Sequence, residues 1–495
     1  MIRQAFVVAL ILALGSACPL LATDPGLERA YWPQFRGPGG SAVGADGMMY
    51  PVKFGKTSGI AWKVDLPPGN SCPCIWESKI FLTGYQKDKN LLETLCLDRT
   101  TGKILWTKTL PAAKFESSIH PANGPATPTP ATDGKLVYVY FGSFGLAAYD
   151  FDGKEVWRRP MPMPELKFAT GSSPVVAGNL VILAYPGKPP ALMAFDSKTG
   201  ATVWKKERPR FRLNYATPMI QDNKGTQEIV LAQSAGVVAY DLQDGSERWW
   251  VGGLLGAGIP SPAAGSGLIF INAHSVGGDP DEPYKLPKFA ELVAKFDKNK
   301  DGILSETELP KDYLLFNRGS DKAVDNIVIE DVFDAWDRNH DKQLTQQEWD
   351  QGATALTRRE SVLVAIRPVG EKDISKNQIV WREKRSLPEV PSPLYYQGRL
   401  YLVKDGGMMS CLDALTGKVI YRKRLGAIGI YYASPVAGGN RIYTASRDGV
   451  VAVVEAGDRG EVLARNDLGE PIVSSPALAG GKLYVRTEGH LFAFE

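Results

Sequence analysis

The feature that most restricts what this chain can fold into is a dipeptide that keeps returning. Serine or threonine followed by proline opens a short strand-like stretch at Pro130, Pro174, Pro218, Pro262, Pro393, Pro435 and Pro476, and Cys72 stands in the hydroxyl residue's place before Pro73. Successive prolines are 57, 44, 44, 44, 131, 42 and 41 residues apart. Self-similarity at a period of about 40 to 50 residues marks stacked repeat architectures. One interval is too long by nearly two repeats, so a foreign segment interrupts the series between Pro262 and Pro393.

Each repeat follows one grammar: strand, turn, a strand rich in Val, Ile, Leu and Tyr, a small residue, an apolar residue, an acid, a glycine turn and tryptophan. The copies read Asp98-x-x-x-Gly102-x-x-x-Trp106, Asp196-x-x-x-Gly200-x-x-x-Trp204 and Asp241-x-x-x-Gly245-x-x-x-Trp249. Asp150-x-x-Gly153-x-x-x-Trp157 is one residue shorter, Asp413-x-x-x-Gly417-x-x-x-Tyr421 exchanges the indole for a phenol, and the seventh copy has Ala464. Four short strands per repeat, bounded by turn signals, are the pattern of propeller blades. A lone four-stranded sheet cannot bury both faces, so each must pack on its neighbours. The glycine permits the tight reversal, the aspartate caps the turn through its own backbone, and the tryptophan supplies a large area to bury between blades. The last repeat stops at Leu491-Phe492-Ala493-Phe494-Glu495, short of its glycine turn, while Gly59-Ile60-Ala61-Trp62-Lys63-Val64 is an orphan final strand at the other end. The expected fold is all-β: an eight-bladed β-propeller closed by the N-terminal strand, which removes the open sheet edges.

The long interval, between Gly278 and Glu360, turns acidic and helix-compatible and carries two twelve-residue loops. They are Asp297, Asn299, Asp301, Ile303, Ser305 and Glu308 in the first and Asp337, Asn339, Asp341, Gln343, Thr345 and Glu348 in the second, at positions 1, 3, 5, 7, 9 and 12. Calcium is a hard cation that takes about six to eight oxygens, and this spacing supplies them, with a backbone carbonyl at position 7 and a bidentate glutamate at 12. Two calcium sites in a paired EF-hand are expected. Phe289, Leu292, Val293 and Phe296 predict an entry helix for loop one, and Ile327, Val328, Val332, Phe333 and Trp336 one for loop two, with room for an exit helix between. Leu304 and Leu344 are apolar at position 8, as paired loops require. Loop one has Gly302 at its sharp turn; loop two has Lys342 there, where glycine is preferred. The expected boundaries are residues 1–22 for a signal peptide, 23–57 for a lead-in, 58–278 and 361–495 for the propeller, and 279–360 for the EF-hand insertion.

Arg3, the apolar run Ala5 to Leu14 and the small residues through Ala22 read as a secretory signal, too short to span a bilayer. The protein is therefore expected in the periplasm or cell envelope, soluble by preference. Leu14-Gly15-Ser16-Ala17-Cys18 is a degraded lipobox and offers a lipid anchor on Cys18 as the alternative. Lys and Arg total 57 against 54 for Asp and Glu, which gives no global field to recruit nucleic acid. Cys96 and Cys411 occupy the small-residue position taken elsewhere by Ala148, Ala194 and Ala239, and are expected to be free, inert thiols.

The glycine-turn and tryptophan repeat resembles the pyrroloquinoline-quinone (PQQ) type propeller repeat from roughly Gly59 to Glu495, apart from the insertion. Trp32-Pro33-Gln34-Phe35-Arg36-Gly37-Pro38 looks like the lead-in of bacterial exported members of that group. The resemblance implies one of two functions: a quinoprotein dehydrogenase, or a protein similar to the outer-membrane assembly lipoprotein BamB, which binds other proteins without a cofactor. The dehydrogenase branch implies a disulfide between adjacent cysteines beneath the quinone; here Cys72-Pro73-Cys74 is the nearest approach, and no C-x-x-C-H haem motif is present. The expectation is thus a non-catalytic binding or scaffolding module for another envelope protein. The alternative is a PQQ-dependent dehydrogenase of alcohols or sugars. On the inter-blade loops the polar candidates for a partner are His120, Lys167, Arg210, Arg212, Asn214, Tyr215, Arg385, Tyr431 and Tyr432.

Overall fold

The computed structural model describes residues 31–112, 123–164, 166, 168–208, 215–254, 256, 258–275, 286–317, 326–357 and 360–495. Eight sheets follow one another along the chain, each built on a four-stranded antiparallel meander, and one of them gains a fifth strand. Blade one comprises Cys74–Trp76, Lys79–Gln86, Leu91–Asp98 and Ile104–Pro111, and the pattern repeats in blades two to seven, whose first strands are Ala131–Thr132, Val175–Ala177, Met219–Asn223, Ala263–Gly265, Leu394–Tyr396 and Val436–Gly438. Blade eight takes three strands from the C-terminus, Ala477–Ala479, Lys482–Arg486 and His490–Phe494, and its fourth, Ile60–Asp65, from the N-terminal side. Trp62 pairs with Ala493, Lys63 with Phe492 and Val64 with Leu491, so head and tail share one sheet, as the orphan strand implied.

The structure explains why the repeat begins with Ser/Thr-Pro. The residue before each proline donates its backbone N–H to the side-chain oxygen of its counterpart in the next blade. Cys72 donates to Thr129 (2.9 Å), Thr129 to Ser173 (2.9 Å), Ser173 to Thr217 (3.0 Å) and Thr217 to Ser261 (2.9 Å). Ser261 then donates to Ser392 (3.0 Å), Ser392 to Ser434 (3.0 Å) and Ser434 to Ser475 (2.8 Å). The circle closes where the Ser475 N–H meets the Cys72 sulfur. A chain of bonds visiting every blade in order closes only around a common axis, so the first strands are innermost and the ring is the hub.

At the rim, the tryptophans of five blades dock on the neighbouring blade's glycine turn. The indole N–H of Trp62 donates to Arg99 O (2.9 Å), Trp106 to Phe151 O (2.9 Å), Trp157 to Ser197 O (2.8 Å), Trp204 to Leu242 O (3.2 Å) and Trp381 to Ala414 O (3.0 Å). The aspartates cap the turns: Asp196 Oδ1 accepts from Lys198 N, Thr199 N and Thr199 Oγ1. Those bonds, the Thr199 hydroxyl foremost, hold its carboxyl below the usual range.

Trp249 departs from this pattern. It is buried, but its indole donates to Glu228 Oε2 of its own blade (3.2 Å). Blade five has no glycine turn to receive it; instead Lys372–Asp373 pairs in parallel with Trp249 and Trp250 as a fifth strand of blade four. The long interval lies between the second and third strands of blade five, Leu268–Ala273 and Val362–Ile366, which pair directly. Among the described residues of that interval are helices α1 (Phe289–Phe296), α2 (Ile329–Trp336) and α3 (Gln346–Thr357), with a core of their own around Phe289, Leu292, Phe333, Trp336 and Trp349.

Candidate functional site

In an antiparallel meander the blade-to-blade connections and the second-to-third-strand connections open on one face, and the remaining turns on the other. The lead-in closes the hub from that other face. Trp32 exchanges backbone bonds with Ile75 of blade one (2.9 and 2.8 Å), and Pro33 O accepts from Thr132 N of blade two (2.9 Å). Arg36 Nη2 donates to Pro393 O of blade six (2.5 Å), Pro38–Gly40 rests on the first strand of blade four, and Gly44 N donates to Ala437 O of blade seven (2.8 Å). So short a stretch touching blades around the whole ring must cross its axis. Trp32 and Arg36 are buried, and burial pushes the Arg36 guanidinium down to about 9. The inter-blade connections lie on the opposite face of the hub from this lead-in.

On that face the candidates divide. His120, Lys167, Arg210, Arg212 and Asn214 lie outside the described residues. Tyr215 is half-buried, its ring edge-on to Phe168 at 6.3 Å, and burial pushes its hydroxyl up to about 12. Tyr431 is a correction: it is a core residue, 1% exposed, with its hydroxyl donating to Ala427 O (2.7 Å) and its N–H to Asp405 Oδ1 (2.7 Å). Two adjacent tyrosines on one loop looked equivalent, but Tyr431 points inward and only Tyr432 stays half-buried. Arg385 anchors locally, its N–H on Glu383 Oε1 (2.8 Å) and its carbonyl taking Arg422 Nη2 (3.3 Å).

Cys72 and Cys74 serve separate partners. The Cys72 sulfur closes the hub ring, and Cys74 Sγ donates to Pro33 O (3.2 Å). All four described cysteines are buried and free; burial pushes the Cys96 and Cys411 thiols up to about 12, which keeps them protonated and unreactive. The Cys72-Pro73-Cys74 segment therefore does not fit the disulfide platform implied for a quinone.

The two acidic loops have matching internal geometry. Asp297 Oδ2 accepts from the position-6 N–H of Gly302 (2.9 Å), and Asp337 Oδ2 accepts from Lys342 N (2.9 Å). Asn299 Oδ1 takes Asp301 N (3.0 Å) and Asp301 Oδ1 takes Ile303 N (2.8 Å), while Asn339 takes Asp341 N (3.0 Å) and Asp341 takes Gln343 N (2.9 Å). Glu308 Oε2 accepts from Ser305 N (3.0 Å) and Ser305 Oγ (2.8 Å), and Glu348 Oε2 from Thr345 N (3.0 Å) and Thr345 Oγ1 (2.9 Å). Leu304–Ser305 pairs antiparallel with Gln343–Leu344, Leu304 facing Leu344. The bonds from Ser305, backbone first, hold the Glu308 carboxyl at about 2, and those from Thr345 lower Glu348 in the same way. Lys342 adopts the left-handed conformation of Gly302, φ 64° against 78°.

Two expectations for this lobe are corrected. Loop one has no exit helix: the chain turns at Pro310 and runs as Leu314–Asn317 against Asn326–Val328. Pro310 would sit inside such a helix, lacking an N–H and disfavouring helical backbone at Leu309. Ile327 and Val328, a β-branched pair, lie in that strand opposite Phe316 and Leu314, and α2 begins only at Ile329. Among the described residues no three His, Cys, Asp or Glu side chains gather into a ready metal cluster. Each loop holds only three such residues as ligand candidates, and their oxygens are turned onto backbone N–H groups; the rest of each donor set is amide, hydroxyl and carbonyl oxygen. That all-oxygen chemistry fits a hard cation.

Sequence reasoning missed a cavity of about 420 Å³ between blades three and four, lined by Arg208, Glu247 and Trp250 among others. Nothing in the repeat grammar marks it, because Arg208 reads as the end of a charged strand.

The family model of the outer membrane protein assembly factor BamB matches residues 59–251, 330–458 and 427–495. The chain belongs to that family. Its fold is similar to that of BamB from Moraxella catarrhalis, with a TM-score of 0.52, 12% identity and coverage of 88% of this chain and 98% of that one. It is equally similar to quinohemoprotein alcohol dehydrogenase from Comamonas testosteroni (TM-score 0.54, 13% identity, 94% of this chain and 80% of that one). A europium-containing methanol dehydrogenase gives 0.53 at 12% identity, covering 95% and 98%. At these identities the likeness is one of fold, shared by BamB and by dehydrogenases alike. No curated protein matches the sequence. Among the described residues no helix is long and apolar enough to cross a membrane.

Proposed function

We propose that this protein is an exported, non-catalytic binding module of the cell envelope, whose propeller docks another envelope protein and whose inserted lobe holds two calcium ions in EF-hand loops. The observation that carries the calcium reading is the residue-for-residue match of the hydrogen-bonded loops Asp297–Glu308 and Asp337–Glu348, tied together at Leu304 and Leu344. Carboxylates oriented by backbone N–H groups keep free lone pairs for an ion, and with the amide, hydroxyl and carbonyl oxygens of each loop they make up a donor set of the kind that calcium takes, about six to eight oxygens. The docking reading is supported by the family, named for an assembly factor. Export is supported by Arg3, the run Ala5 to Leu14 and the small residues to Ala22, with Cys18 as the alternative anchor.

A PQQ-dependent dehydrogenase is the second reading. It draws on the likeness to the alcohol and methanol dehydrogenase propellers, and the separately engaged Cys72 and Cys74 weigh against it. Calorimetric titration of chelator-stripped protein with calcium is expected to give two sites, one of which weakens at least about tenfold in Glu308→Gln, because one ionised bidentate ligand is lost. Unchanged stoichiometry and affinity would refute the assignment. A pull-down from envelope extract, with and without chelator, reads the partner. Stoichiometric PQQ uptake followed by alcohol-dependent dye reduction would replace the module by the enzyme.

A further inference from the structure

The seam that closes the ring brings together side chains that the repeat does not explain. His490 begins the last strand of the chain and stands directly opposite Asp65 of the N-terminal strand. Its Nδ1 lies 2.7 Å from Oε2 of Glu470, on the connection between blades seven and eight. Glu470 is itself fixed: the Thr487 hydroxyl donates to the same oxygen (2.6 Å), and Lys63 Nζ stands 3.5 Å from the other. An ionised carboxylate only accepts, so the bond to Glu470 puts a hydrogen on Nδ1. Neutral imidazole carries one N–H, which leaves Nε2 with a lone pair. Facing it 3.2 Å away is another acceptor, Asp65 Oδ1, in an ion-pair contact that is not one of the ring's hydrogen bonds.

Two acceptors held this close call for a cation between them. A metal bonded to imidazole nitrogen and carboxylate oxygen at about 2.0 to 2.2 Å, with an angle between square and tetrahedral, sets those two atoms about 2.9 to 3.4 Å apart. The observed 3.2 Å falls inside that span. Metal-binding histidines are commonly oriented by a carboxylate on the other ring N–H, and Glu470 takes that place. Imidazole with carboxylate suits zinc, copper and nickel, whereas calcium prefers oxygen alone. The local charges agree, since Asp65 and Glu470 outweigh Lys63 by one negative charge. The Asp65 side chain is 97% exposed and that of His490 25%, so an ion enters from solvent and water fills its remaining positions.

We propose that His490 Nε2 and Asp65 Oδ1 bind a first-row divalent cation such as zinc across the closing seam, with Glu470 orienting the imidazole. The ion joins the first and last strands of the propeller, and with two protein ligands it is a weak, exchangeable clasp. It shares no residue with the EF-hand loops, so its failure leaves the docking and calcium readings standing. The probe is zinc chloride added to the full chain saturated with calcium. Zinc is expected to raise the melting temperature of the wild type in a concentration-dependent way, and His490→Gln to lose that rise. Glu470→Gln is expected to weaken zinc about tenfold. Copper(II) in place of zinc should show one imidazole nitrogen by electron paramagnetic resonance, absent in His490→Gln. Asp65→Asn changes an exposed side chain and is likewise expected to lose the zinc response, which keeps the test open should the histidine variant fail to fold. No rise at millimolar zinc, or an equal rise in His490→Gln or Asp65→Asn, would overturn the proposal and leave the contact to an imidazolium proton.

Discussion

Removing the docked indole of Trp157 tests the packing logic on which the propeller rests. The ring is 8% exposed, its N–H reaches Ser197 O at 2.8 Å, and it lies against the turn at Gly200 so closely that a Cβ there would fall 2.6 Å from its carbons. Truncating a buried tryptophan to alanine costs about 3 to 5 kcal/mol, of which the hydrogen bond contributes about 1 kcal/mol. Gly200→Ala is costly for two reasons: its φ of 67° carries a left-handed penalty of about 1 to 2 kcal/mol, and the new methyl displaces the ring. In the double variant the methyl finds the space the indole left, so only the backbone penalty adds. The two losses should therefore fall short of additivity by about 1 to 2 kcal/mol. Denaturant unfolding followed by far-UV circular dichroism at fixed calcium gives the numbers, since fluorescence would change with the tryptophan itself. A loss below about 1 kcal/mol for Trp157→Ala, or strict additivity, would refute interlocked docking. Trp204 is only half-buried, and its truncation should cost correspondingly less.

Cys72→Ser should be tolerated, because serine or threonine fills the other seven hub positions, whereas Cys72→Ala leaves the Ser475 N–H unpaired at a cost of about 1 to 3 kcal/mol; denaturant midpoints distinguish them. Lys342→Gly relieves a left-handed residue, so loop two should bind calcium more tightly, by up to about fivefold for about 1 kcal/mol recovered; calorimetry showing weaker binding would contradict this. At the closing seam, burial alone would raise the Glu470 carboxyl, but hydrogen bonds from Thr487 Oγ1 (2.6 Å) and His490 Nδ1 (2.7 Å) outweigh it and hold the pKa below its ordinary value. A depressed carboxylate contributes stability that is complete above the unfolded value, about 4.3, and is lost as pH falls through the folded one. Glu470→Gln should thus be less stable than wild type near neutrality and converge on it under acid; a gap that persists there would contradict the linkage.

The rim of the fold was legible because its contacts are written as short sequence patterns. The aspartate, glycine and tryptophan of one turn lie within nine residues, and the spacing alone implied eight blades and their closure. The hub was less legible. Ser173 and Thr217 meet only across 44 residues, so the repeated Ser/Thr-Pro gave the period without its reason. The lead-in was visible as a motif, but that it crosses the axis to reach Pro393 is a contact over 357 residues that no local pattern encodes. In the inserted lobe the ligand spacing is plain in the sequence, while Pro310 is a single residue whose stop signal outweighs the room the spacing leaves for an exit helix. The cavity beside Trp250 was invisible because it arises from two blades meeting.

The departures from the repeat gather at one place, which follows from how such rings are stabilised. Each blade interacts almost only with its neighbours, so an irregularity is compensated locally or not at all. Blade five accommodates the insertion between its second and third strands and lacks the glycine turn that would receive Trp249. Two substitutes stand there. Lys372–Asp373 covers the outer edge of blade four, with Ile374 N donating to Trp250 O (3.0 Å) and Ile374 itself buried. Glu228, 1% exposed, takes the orphaned indole N–H together with Arg248 Nε (3.1 Å), Gln221 Nε2 (2.8 Å) and Asn223 Nδ2 (3.2 Å). A buried carboxylate met by four donors is stable only while they remain in place. The boundary between blades four and five is thereby held by a polar network and an added strand where every other tryptophan junction is held by an indole on a glycine turn.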